Sequence, residues 1–313
     1  MIFKKIRRGH VDWRNFLCST PARDYIFQKE EYVSQLDRAV EYIRKADSII
    51  VGTGAGASTA AGIQYGGKRF TDNFGEFIEK YGVHYMTDMY AAGFYPYPSE
   101  EAKWGYWSKH ALMNRFAPPA LPLYTKLYDI VKSKEYFVLT TNVDHQFYKA
   151  GFDEKRIFAT QGDYGKIQCQ KACHQKTYDA KDLFRKMDEA RKDCLIPSEL
   201  VPKCPVCGGN MAMNLRCDNY FVEDEAWHEA ADRYADFLEQ NKDKKVVLLE
   251  LGVGFNTPII IRFPFEKMVR ENSSYSLIRL NMDEAVVPES FGERAIGIGG
   301  DMAKAIADIR GLV

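Results

Sequence analysis

The sequence lacks the features that would place the protein in a membrane or on nucleic acid. No stretch of its 313 residues approaches the roughly 20 consecutive apolar residues that span a bilayer. The amino terminus is basic but has no apolar signal-peptide run, so we expect a cytoplasmic protein. Its 43 Lys and Arg residues balance 43 Asp and Glu residues, which leaves no overall field to attract nucleic acid or anionic lipid. We therefore predict no nucleic-acid or membrane partner.

An even set of cysteines, typical of a disulfide framework, is also absent. The chain has seven cysteines, which favours metal binding in a reducing compartment. Four of the cysteines form two closely spaced pairs, here called hooks. Four thiolates on two such hooks suit tetrahedral Zn²⁺, so we predict a structural zinc site. The alternatives are a metal-free cluster of reduced thiols, or replacement of one ligand by His174 or Cys217. The predicted ligands are Cys169 and Cys173 from the first hook and Cys204 and Cys207 from the second.

Short apolar runs that end in Gly, Asn or Asp alternate with helical patterns along most of the chain. Near-continuous apolar character is typical of parallel strands that are covered by helices on both faces. We therefore predict an α/β fold with a Rossmann-like, doubly wound parallel sheet and a smaller zinc-binding, helical domain inserted into it. The predicted strands lie at 48–52, 136–140, 246–251, 276–280 and 295–298, and the helices at 31–46, 123–132, 227–241 and 302–309.

Two segments interrupt this alternation. Residues 71–122 are crowded with aromatic side chains, and residues 166–219 carry the cysteine hooks and a charge-rich helical stretch at 180–192. We expect both to pack together as the small domain. The Rossmann-like domain then consists of residues 26–70, 123–165 and 220–313, and residues 1–25 form an extension with no readable role.

A glycine-rich turn follows the first predicted strand, with the pattern Gly52-x-Gly54-x-Gly56-x-Ser58. Small residues at a strand-to-helix turn let main-chain N–H groups approach a pyrophosphate. The spacing is not the usual G-x-G-x-x-G, and no acidic residue follows a second strand, which argues against hydride transfer. The turn predicts a dinucleotide site, and the alternative is tight packing of the turn against the helix.

Polar side chains follow the later strands. Asn142 and Asp144 come directly after the second strand, at the sheet edge where α/β folds bind ligands, although both could simply cap the next helix. Gln161 follows the next strand-like stretch. Residues 250–254 and 280–281 add further small and polar groups to the same edge.

The order of these pieces over about residues 30–310 resembles the sirtuin family. The resemblance implies that NAD lies between a Rossmann-like domain and a zinc-bearing small domain, and that its bond to nicotinamide is cleaved. It assigns Asn142 and Asp144, with Gln161, to the nicotinamide pocket. The pyrophosphate and ribose region would comprise Gly54, Ala55, Gly56, Ser58, Ile63, Gln64 and Phe70. The adenosine half would be surrounded by Gly252, Val253, Gly254, Asn281, Asp301 and Met302.

Three departures point to one branch of that family. Gln161 stands where typical sirtuins have a catalytic histidine, the loop 62–70 is lengthened, and the peptide-pairing strand around 219–221 is altered. The pattern resembles the macrodomain-linked, or class M, microbial sirtuins. That resemblance implies ADP-ribose transfer to a lipoylated carrier protein of the glycine-cleavage H type. A macrodomain hydrolase would reverse the mark, with a role in oxidative stress.

Glutamine cannot accept the proton that histidine removes during deacylation, whereas nicotinamide departure needs no base. We therefore expect Asn142, Asp144 and Gln161 to be the catalytic residues, an acidic partner residue to be the acceptor, and the aromatic insertion to exclude water. Three alternatives remain: a deacylase that uses His145 as the base, an NAD glycohydrolase, and a non-catalytic NAD or ADP-ribose sensor.

Overall fold

The structure, a computed structural model, describes residues 20–82 and 84–313. The strands are β1 (Tyr25–Ile26), β2 (Ser48–Thr53), β3 (Glu135–Thr140), β4 (Ile157–Ala159), β5 (Gly162–Cys169), β6 (Thr177–Asp179), β7 (Met211–Leu215), β8 (Val246–Leu251), β9 (Tyr275–Asn281), β10 (Val287–Pro288) and β11 (Ala295–Gly299). The helices are α1 (Tyr32–Lys45), α2 (Ala55–Ala60), α3 (Gly67–Tyr81), α4 (Met89–Gly93), α5 (Glu100–Ala111), α6 (Pro122–Val131), α7 (Gln146–Lys149), α8 (Lys181–Ala190), α9 (Glu225–Asn241), α10 (Arg262–Glu271) and α11 (Met302–Leu312).

Six parallel strands form the central sheet, in the order β11-β9-β8-β2-β3-β4. The chain runs from β2 outward through β3 to β4, and then returns to the other side of β2 to add β8, β9 and β11. The strand order therefore reverses between β2 and β8, where doubly wound sheets bind their ligands. The predicted Rossmann-like α/β class is confirmed.

Helices cover both faces of this sheet. Because successive side chains of a strand point to opposite faces, Ile49 and Val51 pack with α1, α6 and α11, whereas Ile50 packs with α9 and α10. This burial on two faces explains the near-continuous apolar character of the predicted strands.

A second sheet is antiparallel, in the order β6-β5-β7, and it shares a core with the aromatic segment. The sequence interpretation gave residues 166–219 a helix, which is present as α8, but it did not predict these strands. Strand β5 runs across the expected boundary at 165/166, and α3 runs across the boundary at 70/71 because its apolar face continues to Phe77. The shared core includes Phe70, Phe74, Phe77, Trp104, Tyr106, Ile167, Phe184 and Met213.

The described part of the amino-terminal extension packs against β10 and helix α10. Strand β1 pairs antiparallel with β10, and Arg270 donates a hydrogen bond to Thr20. Residues 1–19, with Cys18, lie outside the described part. Within the described ranges, no helix has both the length and the apolarity needed to cross a membrane.

Four charged side chains are fully buried beneath the end of the sheet. Arg279 on β9 makes a two-point ion pair with Glu250 at 2.7 and 2.9 Å and donates to Glu266 at 2.9 Å. Arg262 lies beside Glu266, and the Tyr25 hydroxyl donates to Glu266 at 2.6 Å. The two arginines balance the two glutamates, and this balance allows burial without an unpaired charge.

We expect Arg279→Met to lower the free energy of unfolding by about 3–5 kcal/mol, because it leaves two buried carboxylates short of a partner. Urea denaturation measures the change. The control is Lys68→Ala, which removes an exposed ion pair with Asp72 and should leave the unfolding free energy nearly unchanged. An equal, small effect of both substitutions would contradict the assigned role of the buried cluster.

Candidate active site and metal centre

The glycine-rich turn after β2 lies against the turn after β8, where the strand order reverses. The main-chain N–H groups of Gly54 and Gly56 donate to the carbonyl oxygens of Leu251 and Gly252, each at 3.0 Å. A Cβ on Gly56 would lie 2.7 Å from the Gly252 Cα, and Gly252 itself has a φ of +61°. Tight packing therefore requires glycine here, and it leaves Ala55 exposed at the start of α2.

Asn142 and Asp144 form a pocket beside this turn. The Asn142 side-chain amide donates to the Gly54 carbonyl oxygen at 2.9 Å. Asp144 is only 2% exposed, and it accepts hydrogen bonds from the Ser58 hydroxyl and from the Gln146 main-chain N–H. Asp144 thus caps the start of α7 and also reaches back to the glycine-rich turn.

Burial raises the pKa of Asp144, while the hydrogen bonds from Ser58 and Gln146 work in the opposite direction. The Ser58 hydroxyl also lies 3.2 Å from the Tyr124 hydroxyl. Sequence reasoning did not find Tyr124, because a tyrosine on an amphipathic helix carries no signal beyond packing. The hydrogen-bond partners of the Asp144 carboxylate are all neutral.

Gln161 lies in the turn between β4 and β5, next to the Asn142 turn. Hydrogen bonds from the Thr160 N–H to the Thr140 carbonyl, and from the Tyr164 N–H to the Val143 carbonyl, join the two turns on either side of Gln161. Its side chain is half-buried and has no hydrogen-bond partner within residues 20–82 and 84–313. The structure therefore brings Asn142, Asp144 and Gln161 to one edge of the sheet.

An ion-paired cluster that the sequence did not predict lies immediately after Gln161. Asp163 accepts from the Arg115 guanidinium at 2.8 and 3.2 Å, and from His145 Nδ1 at 3.0 Å. Burial opposes the charged form, but the His145 and Arg115 hydrogen bonds outweigh it and hold the pKa of Asp163 at about 2. His145 and Asp163 also line a cleft of about 450 Å³ beneath α9.

Three further predicted cofactor residues, Asn281, Asp301 and Ile63, make hydrogen bonds close to the turns described above. Asn281 donates from its side chain to the Val253 carbonyl at 3.2 Å, which places both beside Gly252 and Gly254. Asp301 caps α11 by accepting from the Lys304 N–H at 3.1 Å, and Ile63 donates from its N–H to the Ser58 carbonyl at 2.8 Å.

Two predicted cofactor residues are buried in this structure. Phe70 is 1% exposed and its ring stacks on Phe74, and Met302 is 4% exposed at the start of α11. Gln64, in contrast, is exposed, and its carbonyl oxygen accepts from Arg69 at 2.8 Å. The end of the 62–70 loop forms the first turn of α3, which places Phe70 in the small-domain core.

The four hook cysteines form one cluster. Their sulfur atoms all lie within 4.8 Å of one another, with 3.7 Å between Cys169 and Cys207 and 3.6 Å between Cys173 and Cys204. Four sulfurs at the usual zinc distance of about 2.3 Å would stand about 3.8 Å apart in a tetrahedron. The donor set and its spacing therefore fit zinc.

Main-chain N–H groups prepare this cluster for a metal. The Cys173 N–H donates to the Cys169 sulfur and lowers the pKa of that thiol to about 6, and the Cys207 N–H lowers the pKa of Cys204. Both shifts favour the thiolates that bind zinc. His174 stands 3.1 Å from the Cys173 sulfur but bonds Tyr178 through Nε2, and Cys217 lies outside the cluster.

Comparison with known proteins gives the chain its family. A Staphylococcus aureus protein named "Protein ADP-ribosyltransferase" is 38% identical over 278 residues, covering 88% of this chain and 87% of that protein. A Fusarium oxysporum f. sp. cubense protein named "Probable bifunctional ADP-ribose hydrolase/ADP-ribosyltransferase" is 31% identical, covering 87% of this chain but 47% of that protein. No protein-family model matches the chain.

Solved structures give the same fold. A Sir2 enzyme structure has a TM-score of 0.54 at 16% identity and covers 90% of this chain and 97% of its own. A Sir2 homologue mutant in complex with ADP-ribose has a TM-score of 0.53 at 15% identity, covering 88% and 96%. The fold is that of the Sir2 enzymes, and together with the Staphylococcus aureus relative it defines an NAD-dependent, sirtuin-like enzyme. The chain belongs to the family of that protein ADP-ribosyltransferase.

We expect Cys204→Ser to reduce the zinc content of the purified protein and to lower its Tm, because the cluster loses one of four ligands. Plasma mass spectrometry measures the metal, and calorimetry measures the Tm. Cys217→Ser is the matched control, since this exposed cysteine stands outside the cluster. Unchanged zinc content in Cys204→Ser would show that the cluster does not hold the metal.

Proposed function

We propose that the protein is an NAD-dependent protein ADP-ribosyltransferase that releases nicotinamide and transfers ADP-ribose to a carrier protein. The observation that carries the proposal is the placement of Gln161. Two main-chain hydrogen bonds set it beside the Asn142 and Asp144 pocket, where the sirtuin resemblance expects a histidine base. An amide can hydrogen-bond a ribose hydroxyl but cannot take its proton at neutral pH.

The other residues of the site have proposed roles in binding the dinucleotide and in orienting nicotinamide. The Gly54–Gly56 and Gly252–Gly254 turns, with Asn281, are the proposed binding surface for the dinucleotide. Asn142 and Asp144 orient the nicotinamide carboxamide, and the buried Asp144 carboxylate favours a neighbouring positive charge. NAD supplies the glycosidic bond that breaks and the ADP-ribose that is transferred. The aromatic residues of the small domain exclude water that would hydrolyse the bond.

The acceptor we propose is a lipoylated carrier protein of the glycine-cleavage H type, modified on an acidic residue, with a role in oxidative stress. A carboxylate is ionised at neutral pH and needs no base to attack. A macrodomain ADP-ribosyl hydrolase is the proposed partner that removes the mark. The Fusarium relative supports this pairing because its name joins a hydrolase and a transferase in one chain. A zinc site made of reduced cysteines fits the proposed cytoplasmic location.

One observation favours a second candidate function, an NAD-dependent deacylase. His145 is oriented by Asp163, whose carboxylate lies 3.0 Å from Nδ1; in a neutral imidazole held this way, Nδ1 carries the proton and Nε2 has the free electron pair. That is the arrangement of a general base. Such an enzyme would release free lysine from acylated peptides, whereas the transferase would not. A glycohydrolase would consume NAD without modifying protein, and a sensor would bind NAD without turnover.

We expect Gln161→Ala and Asn142→Ala each to lower the transfer rate by about 10- to 1000-fold, because the first removes the proposed hydrogen bond to the ribose and the second removes the one to the nicotinamide carboxamide. Intact-mass spectrometry of lipoylated and unlipoylated carrier, incubated with enzyme and NAD, measures added ADP-ribose. Gln240→Ala on the exposed end of α9 is the matched control. If both site variants transferred at the wild-type rate, the proposed assignment would be wrong.

The same experiment separates the alternatives. Added ADP-ribose on the lipoylated carrier alone supports transfer and its dependence on lipoylation. Unmodified carrier with consumed NAD indicates a glycohydrolase. Unmodified carrier with intact NAD, together with a higher Tm in the presence of NAD, indicates a sensor.

A further inference from the structure

Main-chain hydrogen bonds fix the backbone around Gln161, whereas the Gln161 side chain has no hydrogen-bond partner in the described part of the chain. The Gln161 carbonyl oxygen accepts from the Arg216 N–H at 3.0 Å. The next residue, Gly162, has a φ of +99°, and a Cβ there would lie 1.9 Å from the Asn214 carbonyl oxygen. Only glycine fits this position, and the close approach to Asn214 fixes the main chain directly after Gln161.

Asp163 fixes the other end of the same turn. One of its carboxylate oxygens accepts from Arg115 Nε at 2.8 Å and from the Gly165 N–H at 2.6 Å. The other accepts from Arg115 Nη2 at 3.2 Å and from His145 Nδ1 at 3.0 Å. Four donors on one carboxylate leave it little freedom to rotate or to act on a substrate. Its geometry is that of an anchor.

Arg115 reaches this carboxylate from the aromatic insertion. It lies in a π-helical turn, Leu112–Phe116, and Lys149 donates to the carbonyl oxygens of Arg115 and Pro118. A Cβ on Gly165 would lie 2.7 Å from Arg115 Nε, so glycine at 165 makes room for the guanidinium. The insertion is therefore tied directly to the strand that follows Gln161.

We propose that Asp163, clamped by Arg115 and His145, is a positioning residue that sets the orientation of Gln161 toward the ribose. This inference rests on the proposed function, because it requires that Gln161 act on the reacting sugar. It assigns the aromatic insertion a second task besides excluding water, which is to hold the turn that carries Gln161. It also assigns His145 to the clamp and not to proton removal.

The test is a double-mutant cycle of Asp163→Asn and Gln161→Ala, with nicotinamide release and the Kd for NAD as readouts. We expect Asp163→Asn alone to lower kcat by about 10- to 100-fold with little change in Kd, as misplacement of a contacting group does. In the Gln161→Ala background, the same substitution should lower kcat no further, because the group that Asp163 positions is gone. A substitution that only destabilised the fold would act equally in both backgrounds.

A matched control and a second variant keep the result interpretable. Asp188→Asn removes a carboxylate that pairs with Arg191 at 3.0 Å elsewhere in the small domain, and it should leave kcat unchanged. If Asp163→Asn does not fold, Arg115→Gln replaces it in the cycle, since this variant keeps the His145 contact. Equal losses of kcat in both backgrounds would overturn the clamp. Failure of Gln161→Ala alone to change the rate would instead overturn the proposed role of Gln161.

Discussion

The contact between two main-chain turns, one after β2 and one after β8, is the constraint on which the site depends. The Gly54 and Gly56 N–H groups donate to Leu251 and Gly252, and no side chain separates the two turns. This contact brings the strand ends of both halves of the sheet to one edge, at the point where the strand order reverses. The Asn142 side chain then bonds the Gly54 carbonyl, so the pocket proposed for nicotinamide is built on the same contact.

The small domain is joined to that edge by polar contacts as well as by its aromatic core. Residues 71–122 and β5 share one core, and the Arg115–Asp163 pair connects them at the turn that follows Gln161. The insertion thus reaches the proposed catalytic edge through a charged, two-point contact whose geometry is directional. The Arg115–Asp163 ion pair therefore fixes the position of the aromatic segment relative to the turn that carries Gln161.

Local patterns predicted much of the fold, and pairs distant in the sequence were not predictable. The strands at 48–53 and 246–251 are apolar runs with a clear ending, so their period and length identify them. Strands β5 to β7 were missed because their sequences carry no clear apolar alternation: β5 mixes glycine, charged and apolar residues, and β6 has only three residues. The Arg115–Asp163 pair joins residues 48 positions apart, and nothing in either local sequence indicates it.

The two carboxylates near the proposed catalytic edge, Asp144 and Asp163, lie in opposite electrostatic environments. This difference indicates a different role for each. Asp163 has the guanidinium of Arg115 against it, which keeps it ionised but cancels most of its field. Asp144 is buried among neutral partners, Ser58 and the Gln146 N–H, and its pKa is raised by that burial. An ionised Asp144 therefore keeps its field for a cationic group placed beside it, which the proposed chemistry provides at the nicotinamide ring and the sugar. In the proposed mechanism, Asp163 therefore has a structural role and Asp144 an electrostatic one.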